Sequence, residues 1–315
     1  MRNKQDRLDI HATITNKIIA AIEAGVDEWQ MPWHRPGTNF TIPKNALTQQ
    51  PYRGINILSL WIDADAKKFE HQIYATYGQW AQLGAQVRAG EKASLIVKYG
   101  TWTPKSADRE PAPQDNADDP QQRTYAKPAW VFNIAQVDGA EVPSSVPRKD
   151  LTERLAHVDA FIANTRAEFR YGGQRAFYRR LSSAGTGDYI RIPDREMFIG
   201  TETSTPTETF EATRLHELSH WTSAASRLDR DLGKRFADDA YAAEEVCAEI
   251  SAAALCCQLE ISNTPRPDHA QYIAHWLKIM RGDARAIFTA AAHASRVVEY
   301  LFGLQQQSSD AICAE

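Results

Sequence analysis

The sequence predicts an α+β protein in two parts: an N-terminal α+β domain and a C-terminal α-rich domain with a small sheet. The chain has 315 residues, enough for two domains of ordinary size. Its long β-branched and aromatic runs lie before residue 138, whereas helical periodicity dominates after residue 150. The stretch "DGAEVPSSVPRKD" at 138–150 is polar and contains prolines, like an interdomain linker. We therefore predict domains at 1–137 and 151–303, followed by a frayed polar tail at 304–315.

The N-terminal part alternates helices with two strand-like runs. Helices are predicted over residues 8–24, 55–70 and 76–84. The first carries Ile14, Ile18 and Ile22 at helical spacing and ends near Gly25, a residue type that commonly terminates helices. The runs "KASLIVKYGTWT" and "KPAWVFNIAQV" predict two antiparallel strands. The segment between them, about 104–126, is rich in Pro, Asp and Gln with almost no large apolar residue, which predicts a flexible insertion.

The C-terminal part is predicted to be mainly helical. Helices are expected at 151–168, 209–228, 241–260, 267–281 and 283–303. Between the first two, "DYIRIPDREMF" at 188–198 has the pattern of a short strand followed by a turn. The helix at 241–260 is rich in alanine, and small side chains allow a neighbouring helix to approach closely. This pattern favours direct packing of that helix against the one before it.

Composition narrows the class of protein. With 43% hydrophobic and 24% charged residues, the chain is typical of a soluble globular protein, and no apolar run is long enough to span a bilayer. The first residues lack the apolar segment of a secretory signal, so we expect a cytoplasmic protein without a membrane partner. Four cysteines have no metal-binding spacing and are expected to be buried, reduced thiols: Cys247, Cys256, Cys257 and Cys313.

The stretch "EATRLHELSHWTSAASRLDR" at 211–230 contains the strongest chemical motif. His216 and His220 are four residues apart, so on a helix both imidazoles project from one face and can reach the same ion. Glu217 lies about 100° round the helix from His216, where it can flank the ion as a general base. Two such histidines plus a third protein ligand are typical of zincins, which hold one Zn²⁺ ion and leave a position for water. The alternative is an ordinary helix that happens to carry two histidines.

The third ligand is expected on the alanine-rich helix. Glu245 and Glu249 share one face of this helix with Ala248 and Ala252, and carboxylates in such a close seam need a partner. We assign Glu245 as the third metal ligand and Glu249 as the acceptor for a histidine N–H. Glu244 in place of Glu245 stays an alternative, as does a solvated acidic helix face.

Two further features would suit a peptidase. The strand at 188–198 precedes the metal helix, where an edge strand can pair with an extended peptide substrate. Tyr241, at the start of the alanine-rich helix, is a candidate hydrogen-bond donor to a developing oxyanion, with a packing role as the alternative. A protein or peptide substrate is therefore chemically plausible, and the sequence does not identify it.

The loop-rich region after the first helix mixes aromatic and basic residues. Its candidates for contact with single-stranded DNA are Trp29, Trp33, Arg35, Lys44, Tyr52 and Arg53. Bases stack on aromatic rings while Lys and Arg follow the phosphates, so this mixture is typical of a single-strand binding groove. The alternative is that these large aromatics belong to the core.

Six segments, in chain order, resemble one known family: "MPWHRP", "YRGIN", "WVFNIAQVDG", "DYIRIP", "HELSHWT" and "YAAEEVCAEI". Together they are similar to the ArdC-type antirestriction proteins of conjugative plasmids, over residues 7–303. The resemblance implies an N-terminal single-stranded-DNA-binding domain, like that of plasmid primase-associated TraC proteins, joined to a zincin-like metallopeptidase domain. It also implies a role in shielding incoming plasmid DNA from host restriction.

The resemblance also implies site residues. His216, His220 and a glutamate of "EEVCAE" match the family's metal ligands, and Glu217 matches its catalytic acid–base residue. The family's N-terminal motifs contain Trp29, Trp33, Tyr52 and Arg53. The insertion at 104–126 is longer and more acidic than the family pattern needs.

The leading interpretation is a DNA-protecting protein of a mobile element that binds single strands and carries a zinc metallopeptidase-like domain. Two alternatives stay open. One is a metallopeptidase whose target is a host or phage protein, and the other is a zinc-stabilised DNA-binding protein without catalytic activity. The sequence also leaves the oligomeric state open.

Overall fold

The computed structural model describes residues 8–24, 41–102, 123–143, 150–180, 187–200, 204–232, 239–261 and 270–312. For residues 101–102, 123–124, 270–275 and 307–312 it gives the backbone only. The described residues form eight α-helices: α1 (Ile10–Ala24), α2 (Ile55–Lys67), α3 (Tyr77–Gln82), α4 (Leu151–Asn164), α5 (Pro206–Trp221), α6 (Ala240–Gln258), α7 (Ala270–Gly282) and α8 (Ala286–Ile312). They also form nine strands: β1 (Lys44–Asn45), β2 (Ile73–Ala75), β3 (Gln86–Val87), β4 (Ser94–Trp102), β5 (Arg123–Asn133), β6 (Val137–Asp138), β7 (Phe169–Tyr171), β8 (Phe177–Arg179) and β9 (Tyr189–Ile192).

Three small sheets organise the strands. In the N-terminal part, a four-stranded sheet has the order β1-β2-β5-β4, and β3 pairs with β6. In the C-terminal part, a three-stranded sheet has the order β7-β9-β8. The antiparallel β4–β5 pair predicted from the sequence is present, in continuous register from Ser94↔Val131 to Trp102↔Arg123. Residues 123–126 of the predicted insertion therefore belong to β5, because they pair with β4.

Helix α2 protects the outer edge of β4. The Asn56 side chain donates to Val97 O at 2.8 Å and accepts from Val97 N at 2.7 Å, as a neighbouring strand would. Ser59 Oγ donates to Leu95 O at 2.9 Å. An open strand edge can template pairing with another chain, and this cover removes part of that edge. The same helix buries Trp61 in the main core.

The main hydrophobic core draws on both parts of the chain. Helix α1 buries Ile14, Ile18 and Ile22 in the same cluster as residues of α6, α7 and α8. Thr15 Oγ1 donates to Ala284 O at 2.6 Å, which fixes α1 against the turn between α7 and α8. The opening helix thus packs against α7 as well as against α2. The division of the chain at 138–150 stays a prediction, and the two parts share their main core.

Strand β9 is central in its sheet, so the expectation of an edge strand at this position is wrong. It pairs in parallel with β7 and antiparallel with β8. Its Ile190 and Ile192 side chains are fully buried, and a strand with buried β-branched residues is better suited to the centre of a sheet than to its edge. The edge strands of this sheet are β7 and β8.

Helix α5 begins at Pro206 rather than at 209. The cause is a capping box: Thr205 Oγ1 accepts from Glu208 N at 3.2 Å, and the Glu208 carboxylate accepts from Thr205 N at 3.0 Å. Proline at the first helical position is also favourable, because its missing N–H has no intrahelical partner there. The helix ends at Trp221 rather than near 228, because the chain then folds into hydrogen-bonded turns.

Helix α8 continues to Ile312, so the predicted frayed tail at 304–315 is wrong for residues 304–312. Gln305 Nε2 donates to Phe161 O at 3.2 Å, and Asn164 Nδ2 donates to Gln305 Oε1 at 2.8 Å. These bonds tie α8 to α4, and glutamine favours the helix. Although α8 has 27 residues, no helix in the described part of the chain is long and apolar enough to cross a membrane.

The cysteines of α6 are packing residues. Cys247 and Cys256 are buried free thiols, and Cys257 is half-buried. Burial raises the pKa of the Cys247 thiol to about 12, although Arg230 acts in the opposite direction. Burial likewise raises the pKa of Cys256. Both thiols therefore stay protonated near neutral pH, as expected for reduced side chains in a core. Cys313 lies outside the described residues.

We predict that iodoacetamide at about pH 8 leaves Cys247 and Cys256 unmodified in the folded protein, because only an accessible thiolate reacts. In concentrated urea both should be alkylated, since the pKa of an unfolded cysteine returns to about 8.5. Mass spectrometry of the digested protein reads each position separately. Rapid labelling of Cys247 without denaturant would contradict the packing of α6 described above.

Candidate metal centre

Helices α5 and α6 meet along a buried seam in the C-terminal part. Every residue of α5 from Thr209 to Ser219 is buried, so both faces of this helix contact protein. Along α6, Ala248 and Ala252 are buried, and their small side chains allow the two helices to approach closely. The carboxylates of α6 therefore reach the imidazoles of α5.

His216, His220 and Glu245 converge in this seam. The two Nε2 atoms lie 3.1 Å apart. Glu245 Oε2 lies 3.4 Å from His216 Nε2, and Glu245 Oε1 lies 3.5 Å from His220 Nε2. One ligand atom from each residue falls within 4.8 Å of the others. The structure thus brings together the two histidines and the glutamate that the sequence selected.

The spacing of these atoms fits a tetrahedral metal ion. An ion about 2.0–2.1 Å from each ligand atom in tetrahedral geometry separates those atoms by about 3.3 Å, close to the distances between the nitrogen and carboxylate atoms. Two imidazoles and one carboxylate are also the donor set of many catalytic zinc sites, which leave a fourth position for water. The residues present therefore fit a divalent cation.

The other imidazole nitrogens face two more carboxylates. His216 Nδ1 lies 3.2 Å from Glu249 Oε2, and His220 Nδ1 lies 3.1 Å from Glu244 Oε1. A carboxylate beside Nδ1 holds the proton there and leaves the Nε2 lone pair for a metal. Glu249 thus lies near His216 Nδ1, and its role as a hydrogen-bond acceptor stays a prediction. Glu244, the alternative third ligand, lies instead on the outer side of His220.

Arg230 is the group at this site that the sequence interpretation missed. Its buried guanidinium donates to Glu244 from Nε at 2.7 Å and from Nη2 at 2.5 Å. It also donates to Ser219 O and Thr222 Oγ1, both at 3.0 Å. A bidentate arginine–carboxylate pair fixes the carboxylate plane, so Arg230 positions Glu244 for His220. No periodicity in the sequence links this arginine to α6.

The pKa values follow from these contacts. Burial by itself lowers the pKa of His220, but Glu244 and Glu245 outweigh burial and raise it to about 10. Burial raises the pKa of Glu244, but Arg230 and His220 lower it to about 2. Both histidines lower the pKa of Glu245 against the effect of burial. The carboxylates therefore favour positive charge at this cluster, whether a proton or a cation supplies it.

Glu217 and Tyr241 lie on the two helices that form the cluster. Glu217 follows His216 directly and is only 4% exposed. Its charge contributes to the raised pKa of His220, so its carboxylate lies within electrostatic reach of that imidazole. Tyr241 lies in the first turn of α6, one turn before Glu245, and is 63% exposed. This exposure argues against the packing role for Tyr241 that the sequence left open.

Strand β8 is the sheet edge next to this centre. Arg180, which follows β8, donates to Ser223 Oγ at 2.9 Å and to Arg230 O at 3.4 Å. Tyr178 OH donates to Asp188 at 2.8 Å, which ties β8 to the start of β9. Because Arg230 also holds Glu244, the end of β8 and the metal cluster are joined through one residue. The sheet edge next to the cluster is therefore β8 rather than β9.

The predicted DNA contacts divide into two groups. Trp29, Trp33 and Arg35 lie outside the described residues. Lys44 is half-buried on β1. Tyr52 is half-buried, accepts a hydrogen bond from Asn45 Nδ2 at 3.2 Å and packs edge-on against Tyr74, with ring centroids 6.4 Å apart. Tyr52 therefore packs within the N-terminal part, and its contact with DNA stays a prediction.

Arg53 joins the two parts of the chain. Its side chain is 70% exposed, and Nη1 lies 3.0 Å from Glu299 Oε1 on α8. The neighbouring Gly54 N donates to Ser295 Oγ on the same helix at 2.8 Å. Gly54 has a φ of +57°, a conformation that glycine adopts at low cost. Two residues of "YRGIN", Arg53 and Gly54, thus contact α8.

Two family models match different parts of the chain. A model described as the N-terminal domain of the anti-restriction factor ArdC matches residues 8–132. A zincin-like metallopeptidase model matches residues 156–293, which include the whole His216, His220 and Glu245 cluster. The fold and the site thus define a zincin-like domain that follows an antirestriction-type N-terminal domain.

Individual relatives match almost the entire chain. A Sinorhizobium fredii (strain NBRC 101917 / NGR234) protein, y4eC, is 40% identical over 310 residues, 98% of this chain and 96% of its own length. The metal-free crystal structure of the antirestriction protein ArdC from plasmid R388 has a TM-score of 0.73 and 33% identity, over 95% of this chain and 98% of that chain. Its Mn(II)-bound crystal structure has a TM-score of 0.71 and 33% identity, over 94% and 98% of the two chains. The chain belongs to the ArdC antirestriction family, and the predicted α+β fold with a zincin-like C-terminal domain is confirmed.

Longer relatives are also present. Two Escherichia coli proteins named DNA primase TraC are 33% and 34% identical over 319 and 311 residues. The matches cover 97% and 94% of this chain, but only 20% and 27% of the primases. This chain therefore corresponds to one segment of those proteins.

We predict that Glu249→Gln weakens Zn²⁺ binding by about 10-fold or more, because the carboxylate beside His216 Nδ1 makes that imidazole a better ligand. Competition with a chromophoric chelator measures the dissociation constant. Glu70→Gln, an exposed glutamate shortly after α2, is the matched control and should leave the affinity unchanged. Equal affinities for both variants would show that Glu249 does not support the ligand.

Proposed function

We propose that this chain is an antirestriction protein of a mobile element that binds single-stranded DNA, carries a zinc-dependent peptidase domain and protects incoming DNA from host restriction. The observation that carries the enzymatic half is the convergence of His216, His220 and Glu245 beside Glu217. Membership of the ArdC family supports the antirestriction half. The two TraC primases that contain a similar segment support a partner made of DNA.

Zinc is the ion that best suits the donor set. His216 Nε2, His220 Nε2 and the Glu245 carboxylate would hold it, and Glu249 and Glu244 would orient the two imidazoles. Two nitrogen donors and one oxygen donor with tetrahedral spacing favour zinc over magnesium or calcium, which prefer six or more oxygen ligands. The Mn(II)-bound structure of the R388 relative supports a divalent cation in this family.

The chain's own residues would supply the rest of the chemistry. Zinc, when bound, lowers the pKa of a water molecule to about 7 and polarises a carbonyl oxygen. The Glu217 carboxylate would accept a proton from the attacking water and pass it to the leaving peptide nitrogen. The exposed Tyr241 hydroxyl would donate a hydrogen bond to the carbonyl oxygen as negative charge develops there.

The sheet edge favours an extended protein or peptide as the substrate. Strand β8 lies at the edge of its sheet, and Arg180 links its end to Ser223 and Arg230 beside the cluster. An extended peptide can add to such an edge through main-chain hydrogen bonds. This observation also favours a second candidate function, in which the activity that protects DNA is cleavage of a host or phage protein.

DNA binding by the full-length protein should weaken linearly on a log–log plot as salt increases, because each phosphate contact releases a counterion. The expected slope is about −0.7 for each phosphate contacted on a single strand. Fluorescence anisotropy with a labelled oligothymidylate measures it over a range of NaCl concentrations. Absence of binding at low salt would remove the DNA-binding half of the proposal.

Glu217→Gln should reduce peptide hydrolysis by about 100-fold or more, since a general base contributes at least that factor. Metal content and thermal unfolding should not change, because the amide keeps the size of the side chain. Glu196→Gln, an exposed glutamate, is the control. Cleavage of a peptide library gives the rate, and an unchanged rate would exclude Glu217 as the base.

The same variant separates the two candidate functions. Plasmid transfer into restricting and non-restricting recipients measures protection. If Glu217→Gln binds single strands normally and still loses protection, then proteolysis is the protective activity. If protection persists, DNA binding is sufficient.

A further inference from the structure

The two strands of the β4–β5 hairpin carry cations and aromatic rings but no acid. Its two strands read "SLIVKYGTW" and "RTYAKPAWVFN". The inner end of the hairpin is anchored, because Ile96 and Val131 are buried in the core with Leu60 and Tyr74. Further out, Lys98, Tyr99 and Lys127 are exposed. The outer end therefore presents its side chains to solvent from a fixed base.

Lys98 and Lys127 lie directly opposite each other. The register pairs them across the two antiparallel strands, so both side chains leave the same face with Cβ atoms about 5 Å apart. Like charges in this position destabilise a sheet. Within the described part of the chain, neither lysine forms an ion pair with a carboxylate. Such a pair costs stability in the free protein, and an anion bound between the ammonium groups would remove that cost.

An aromatic ring lies on the same face, next to the lysine pair. Tyr125 is opposite Gly100 in the register, and its ring lies so close over Gly100 that a Cβ at that position would overlap it. Glycine is therefore required at 100 for steric reasons. Lys127 Nζ lies 4.6 Å from the centroid of the Tyr125 ring, which holds cation and ring together. We name Lys98, Tyr125 and Lys127 the hairpin patch.

The chemistry of the hairpin patch selects its ligand. Paired ammonium groups favour a phosphate, and a tyrosine ring favours a planar partner on which it can stack. In a single-stranded nucleic acid, a phosphate and an accessible base lie within one nucleotide of each other. In a duplex, the bases are stacked inside the helix and cannot reach the tyrosine ring. By contrast, Tyr52 is packed against Tyr74, and Arg53 is paired with Glu299.

We propose that the hairpin patch is a contact surface for single-stranded DNA, with backbone phosphates on Lys98 and Lys127 and a base against Tyr125. This rests on the proposed function, in which the protein binds single strands. It assigns that contact to the hairpin rather than to Tyr52 and Arg53.

The test compares full-length protein with the double variant Lys98→Gln and Lys127→Gln. Binding of a fluorescein-labelled oligothymidylate is measured by anisotropy at several NaCl concentrations. Loss of two phosphate contacts should reduce the magnitude of the log–log salt slope by about 1.4 and weaken binding roughly 10-fold or more at about 0.1 M salt. Tyr125→Leu, which keeps an apolar cover over Gly100, should weaken binding without a change in the slope.

The control is the double variant Lys67→Gln and Lys68→Gln, which makes the same change of charge at two exposed lysines at the end of α2. It should bind like the unsubstituted protein. Thermal unfolding of the hairpin variant should be unchanged or shifted upward, because the repulsion between the two lysines is removed.

The outcomes separate the two proposals. If the unsubstituted protein does not bind the oligonucleotide, the proposed DNA-binding function fails. If it binds, and the hairpin variant keeps the same affinity and salt slope, the hairpin patch is overturned while the DNA-binding function stands. An equal loss of affinity in both double variants would also contradict the proposed role of the hairpin patch. In that case the weaker binding would result from the loss of positive charge and not from the position of the lysines.

Discussion

The close contact between helices α5 and α6 is the constraint on which the functional part of this structure depends. Alanines at 248 and 252 let α6 approach α5, and only at that distance do the carboxylates of one helix meet the imidazoles of the other. The result is a buried cluster in which each imidazole has a carboxylate near both of its nitrogens. Larger side chains at those alanines would separate the helices and remove the metal geometry.

Burying so many ionisable groups is tolerated because their charges compensate one another. Glu244 is shared between Arg230 and His220, and Glu245 lies between the two histidines. An uncompensated charge in this seam would cost several kcal/mol. Arg230 also connects the seam to Arg180 at the end of β8. The same network therefore supports the ligand geometry and positions the edge strand that would receive a substrate.

The two parts of the chain are linked by more than the connecting segment. Helix α1 belongs to the main core together with the C-terminal helices, and Arg53 and Gly54 contact α8 directly. One of these contacts uses Arg53, which the sequence offered for DNA binding, whereas the outer end of the β4–β5 hairpin keeps its cations exposed. A single strand on the hairpin would therefore lie on a surface that the shared core holds in place.

The sequence by itself determined whatever depends on local spacing. The four-residue separation of His216 and His220 places them on one helical face, and Glu245 and Glu249 share a face for the same reason. The capping box at Thr205 is also legible in the sequence, although helical periodicity alone predicts a start at 209. Only the tertiary structure shows which of Glu244 and Glu245 faces both Nε2 atoms. These neighbours project about 100° apart, so the rotation of α6 against α5, set by packing over its whole length, selects the one that faces both Nε2 atoms. Arg230, the central position of β9 and the pairing of Arg53 with Glu299 likewise depend on contacts between residues far apart in the chain, which no local pattern records.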